Sequence, residues 1–152
     1  MQKGMIVALV VAAGSGIAIG LQSTLNNWAG RLVGPTGTGL LVNFAGGVVA
    51  GVLLLLASGQ GVVQRGALQG ATPLIILASG VLGIAIITGL AYSLPRIGIA
   101  AGLSAIILGQ MVVAVAVDSL GWGGAEPIPL GTARIAGLAL LLLGTWFLLP
   151  RK

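Results

Sequence analysis

Between Gly37 and Ala57 the chain reads GTGLLVNFAGGVVAGVLLLLA, without one charged residue. A hydrocarbon core of about 30 Å takes roughly 20 such residues as an α-helix. The run is too long and too evenly apolar for a tilted barrel strand, which alternates over about 10 residues. In lipid the backbone has to satisfy its own hydrogen bonds, and a helix does so within one segment. Asn43 interrupts the apolar series, with Gly47 and Gly51 following at intervals of four on the same helical face.

Four more apolar runs flank this one. Upstream, a span from Gly4 to about Leu21 continues as a more polar stretch to Leu32. Downstream, spans run from Pro73 to Tyr92, from about Ile97 to Val117, and from Arg134 to Leu149. Pro35 and Thr36 precede the second span, and Thr72-Pro73 reads as an N-cap with proline at the first helical position. Pro95 separates the third and fourth spans, because the residue before a proline avoids the helical region. Pro150 stops the fifth. The expected fold is an all-α membrane protein, one transmembrane domain over 1–152 with helices at about 4–32, 37–57, 73–92, 97–117 and 134–149. Lys3 before an apolar run also fits the start of a signal peptide. Four further spans make a membrane protein regardless, so the first reads as a retained helix.

Composition agrees. Hydrophobic residues make up 57% and charged residues 6%, with a mean hydropathy of +1.16. A soluble domain carries roughly 25% charge, so this surface has to face something apolar. Cysteine and histidine are both absent. That removes disulfides, thiolate metal sites and the usual general base, and no cofactor is expected. The pI near 11.5 comes from seven scattered Lys and Arg against two acids, with no basic cluster longer than two, so nucleic acid is not an expected partner. Nor does an enzyme constellation appear: there is no acid pair and no phosphate loop. Gly14-Ser15-Gly16 lacks the strand-to-helix turn and the acid and histidine partners of a nucleophile elbow.

Five spans put the termini on opposite sides. Lys3, Arg65 and Arg134 then fall on one side, and Arg31, Arg96, Arg151 and Lys152 on the other. Under the positive-inside rule this near balance favours neither orientation. Either insertion details set one orientation, or the chain inserts both ways or pairs with an inverted homologue. Arg96, in a very short turn, anchors at the interface by snorkelling.

Polar residues share helix faces. Ser15, Gln22 and Asn26 lie on one stripe of the first span, beside Gly16, Gly20, Ser23 and Asn27. Thr88 and Tyr92 are one turn apart in the third span, below Gly80 and Gly83, and Gln110, Ala114 and Asp118 share a stripe in the fourth. The pairs Gly16/Gly20, Gly47/Gly51 and Gly98/Gly102, with Gly109 on the last stripe, read as helix-packing patterns. An amide in hydrocarbon costs several kcal/mol unless it is hydrogen-bonded. Gln22, Asn26, Asn43 and Gln110 therefore either glue helices or line a solute path. Their convergence from different spans, with Ser15, Thr88 and Tyr92, leans towards a solute-binding set. Asp118, the acid nearest a span, is either solvated at the interface or a coupling or gating group.

Several stretches resemble one family. Gly20-Leu-Gln22-Ser-Thr-Leu-Asn26-Asn27 is similar to its first-helix signature, and Leu41-Val-Asn43-Phe-Ala-Gly46-Gly47 to its second-helix motif. Pro95-Arg96-Ile-Gly98-Ile-Ala-Ala, followed by Leu108-Gly109-Gln110 and Val117-Asp118, resembles the third, and the leucine-rich last span with Gly144 also fits. Together they resemble the YdcZ-like branch of the drug/metabolite transporter superfamily, over nearly the whole chain. The resemblance implies a multi-pass transporter or exporter of the bacterial inner (plasma) membrane. It also implies that the chain is one half of an inverted-repeat bundle, needing a second copy or a homologous subunit in inverted orientation. The superfamily's small multidrug-resistance branch carries a membrane-embedded glutamate in its first helix, and this first span has no acid. Proton-coupled export of cationic drugs by that device is therefore not expected. The leading reading is a transporter of a small polar metabolite or drug-like solute, working as an antiparallel dimer by alternating access. A solute channel and a non-transporting membrane scaffold are the alternatives.

Overall fold

The computed structural model describes residues 3–57, 61–63, 69–121 and 126–150. Arg65, Arg151 and Lys152, all used in the charge count above, lie outside the described residues. Five helices follow in chain order: α1 Lys3–Val33, α2 Pro35–Leu56, α3 Thr72–Ile97, α4 Ile99–Leu120 and α5 Thr132–Leu148. No strand occurs among the described residues. The first four helices are long and apolar enough to cross a membrane. At about 1.5 Å per residue, the 17-residue α5 is about 26 Å long, at the short end for a span.

The break between the third and fourth spans is not at Pro95. That residue lies inside α3, which continues to Ile97. A proline removes the N–H that would bond the carbonyl four residues back, at Ala91, and crowds that carbonyl with its ring, yet the helix here continues through it. The turn is made by Gly98, at φ 84° and ψ 155°, whose N–H donates to the Leu94 carbonyl at 3.0 Å. Pro35 likewise belongs to α2, as one of its first residues, and the joint before it is Gly34 at φ 78° and ψ 161°. Both conformations lie in a region that is essentially glycine-only. The joint between α1 and α2, and that between α3 and α4, is therefore a single glycine.

The chain divides into two compact units, Met1–Tyr92 and Ser93–Lys152. In the first, α1 packs on α2. A Cβ added to Gly30 of α1 would lie 3.1 Å from both the Cβ and the carbonyl oxygen of Ala91 in α3. On Gly39 of α2 it would meet Thr88 Oγ1 and come within 3.0 Å of the Ile84 carbonyl oxygen, both in α3. On Gly83 of α3 it would lie 2.9 Å from Asn43 Oδ1 of α2. So α2 and α3 approach reciprocally: each offers a glycine to a polar side chain of the other. In the second unit α4 packs on α5, and a Cβ on Gly102 would meet the Leu94 Cδ2 methyl.

Burial is inverted relative to a soluble protein. Leu, Ile, Val and Phe side chains face outward along every helix, for example Leu21, Phe44, Leu55, Leu74, Leu140 and Phe147. The most deeply buried polar residue is Thr38, at 0% exposure, followed by Ser23 at 1% and Asn26 at 3%. Water would drive the opposite sorting, whereas a hydrocarbon surround permits this one.

Candidate functional site

The buried polar face of α1 is built by helical spacing. Ser23, Asn26, Asn27 and Gly30 fall at i, i+3, i+4 and i+7, so one face carries them all. Gly30 sets that face against α3 at Ala91. The Ser23 hydroxyl donates to the Ile19 carbonyl at 2.7 Å and is thereby satisfied. The two amides are not: Asn26 Nδ2 and Asn27 Oδ1 are buried with no hydrogen-bond partner. Asn26 is 3% exposed and Asn27 9%. An unpaired buried polar group costs about 1–3 kcal/mol, a cost that this chain by itself does not offset at either amide. The Ala91 carbonyl, in contact with Gly30, lacks its usual helical donor because Pro95 has no N–H. A spare donor, Asn26 Nδ2, and a spare acceptor, Asn27 Oδ1, thus lie on one packed face, whose α3 neighbour Ala91 has a carbonyl that position 95 cannot bond.

The other expected solute-binding residues are placed variously. Asn43 Nδ2 donates to the Gly39 carbonyl at 2.8 Å, and its Oδ1 sits at Gly83, so this amide serves the α2–α3 contact. It also lines an outward-open groove of about 760 Å³ between those helices, with Leu40, Phe44, Ile76 and Gly80. Thr88 is partly buried, its hydroxyl in the space left by Gly39. Ser15 is exposed and donates to its own helix at the Val11 carbonyl, 3.0 Å away. Tyr92 is 55% exposed. Gln22 and Gln110 are both exposed on the chain's outer surface, Gln110 in the middle of α4. Of the expected solute-binding residues, the buried face of α1 therefore includes Asn26 alone.

The glycines expected to pack helices differ from those that make the close contacts. A Cβ on Gly16, Gly20, Gly47, Gly51, Gly98 or Gly109 would find nothing within 4 Å in this chain. Gly102 meets Leu94, and among the described residues the other approaches under 3.4 Å are at Gly30, Gly39 and Gly83. Asp118 forms an ion pair with Arg134, Oδ2 to Nη2 at 3.2 Å. Its backbone carbonyl accepts from the Ile128 N–H at 2.9 Å. This end of α4 thus holds both the start of α5 and the segment before it. Arg134 Nη1 is buried without a partner.

Sequence reasoning does not single out Asn27, Thr38 or Arg134 for the site. Asn27 stands on the stripe adjoining that of Asn26. Thr38 stands one turn after Gly34, and its hydroxyl donates to that carbonyl at 2.9 Å. For Arg134 the available signal is its place at the start of a span, with an acid at the end of the span before it.

Residues 7–147 match the family described as "Putative inner membrane exporter, YdcZ". No curated protein and no solved structure matches the chain.

Proposed function

The chain belongs to the YdcZ family of inner-membrane exporters, and from that premise we propose that it exports a small polar solute as an antiparallel pair by alternating access. The observation that carries the reading is the pair of buried, unpartnered amides, Asn26 and Asn27, on a helix with no charged side chain from Gly4 to Gly30. A protein that only anchored or assembled others would have no use for unpaired polar atoms in its most buried face.

The pairing has its own support. Gln110 stands exposed in the middle of α4, and an amide at that depth needs a partner subunit or a water-filled cavity. The Lys and Arg balance across the two sides suits a chain that inserts in both orientations. Two inverted copies supply equivalent half-pathways, which makes inward-open and outward-open states close in energy.

The test uses liposomes containing the purified protein and loaded with a mixture of polar metabolites. Protein-dependent, saturable exchange of a subset of them is expected, and no exchange by folded protein would sink the exporter reading. For the pairing, two lysines added beside Arg31 bias one orientation, and two beside Arg65 bias the other. Each biased protein alone should be inactive and the two together active. Full activity from one singly oriented protein removes the antiparallel pair while leaving export standing.

A further inference from the structure

The geometry points to an uncharged solute, recognised through a hydroxyl or primary amide group by the Asn26–Asn27 face of α1. This rests on the exporter reading and narrows it to a chemical class. Hydrogen bonding sets the first constraint. Asn26 Nδ2 is a spare donor and Asn27 Oδ1 a spare acceptor. The Ala91 carbonyl, which touches Gly30 on the same face, is a further acceptor that Pro95 does not bond. Hydroxyls and primary amides are donor and acceptor at once, and satisfy such a set from a single group.

Charge sets the second. No charged side chain occurs in α1 from Gly4 to Gly30, anywhere in α2, or in α3 before Arg96. Arg31, one turn beyond Asn27, is exposed and keeps its charge outside the buried face. An ion taken into that face would be desolvated with no counter-charge. An anion would also meet two acceptor oxygens, while a cation would find those acceptors but no carboxylate to offset its lost hydration, and would face the N–H of Asn26. A neutral group avoids both conflicts.

Stability distinguishes a binding role from a structural one. Unpaired amides lower the stability of the empty protein, so their removal should not weaken it. Leucine has nearly the shape of asparagine and no polar atoms. Asn26→Leu and Asn27→Leu should therefore melt in detergent no lower than the parent.

Four three-carbon probes test the class: glycerol and malonamide as neutral solutes, malonate as the anion and 1,3-diaminopropane as the cation. Melting in detergent with each probe in excess reads binding, and counterflow in liposomes reads transport. Malonamide or glycerol should raise the melting temperature of the parent and exchange across its membrane, while the two ions do neither. Either leucine variant should reduce the neutral effect by about tenfold, the equivalent of about 1.4 kcal/mol. Asn27→Asp, of the same shape, should exchange that preference for 1,3-diaminopropane. Asn-dependent binding of malonate or the diamine by the parent overturns the class, and so does the absence of any effect from both neutral probes. In either case, protein-dependent exchange of some other solute keeps the exporter reading intact. Absence of all exchange, with neutral probes still binding through Asn26 and Asn27, breaks export and leaves the site.

Discussion

Among the described residues, the buried positions of the first unit are Ser23, Asn26, Asn27, Thr38, Gly39 and Ala91, and those of the second are Leu94, Ala101, Gly102 and Thr145. The two units share a device, the single-glycine joint, with nearly the same backbone angles at Gly34 and Gly98. They differ in what lies behind it. Beyond Gly34 the close approaches are polar: Thr88 against Gly39, and Asn43 against Gly83. Beyond Gly98 the approach is aliphatic, Leu94 against Gly102, and the polar element is an ion pair at the far end of α4. Hydrophobic burial does not distinguish a protein core from lipid tails, so helices in a membrane are held by close packing and hydrogen bonds. The first unit packs polar side chains against glycines of the facing helix, with Asn43 bonded to its own helix and two amide atoms left over. The second uses packing, and closes with a charge pair where the helix leaves the apolar region.

The shared joint can be broken first. Gly34→Ala and Gly98→Ala each force an L-residue into a glycine-only conformation, at about 3 kcal/mol apiece. Equal losses of stability to chemical unfolding in detergent are expected, and a loss at one site alone would mean that the joints are not equivalent. The next largest effect sharpens the difference between the units. Gly39→Ala should cost about 2 kcal/mol, because a Cβ there meets Thr88 Oγ1 and a backbone carbonyl oxygen of Ile84 that cannot move by itself. Gly102→Ala meets the Leu94 Cδ2 methyl, the end of a side chain and not backbone, so its loss should be smaller. The reverse order would show that the second unit is the more rigidly packed. The smallest effect is at the ion pair. Asp118→Asn should cost about 0.5 kcal/mol, since the Asp118 side chain is 45% exposed. The same measurement made in high salt should shrink that difference further.

Five helices are legible in the amino-acid sequence, because uninterrupted apolar runs of this length have few other conformations in lipid. Their ends are less so. Pro95 looks like a boundary, yet one missing N–H does not stop a helix whose next turn still bonds, and Gly98 makes the turn instead. The same holds for the polar residues. Gln22 and Asn26 stand on one stripe by spacing, but Gln22 is exposed and Asn26 is 3% exposed, because α3 meets α1 near Gly30. A stripe repeats along a helix, whereas a neighbouring helix covers only part of it.

The amino-acid sequence by itself therefore determined the membrane as solvent, the helix count, the missing charge in the spans and the family, since these depend on residue type and run length alone. Only the tertiary structure decided which glycines admit a neighbour, which amides are paired and which are left over. Gly39 and Gly47 are the same residue on the same helix, and only the approach of α3 gives one of them Thr88 and leaves the other open. Likewise Asn43 and Asn26 carry the same amide. One reaches the Gly39 carbonyl on its own helix, and the other is buried with its Nδ2 unbonded. Hydrogen bonding and close packing act over a few ångströms, so they belong to where helices meet rather than to the order of residues along them.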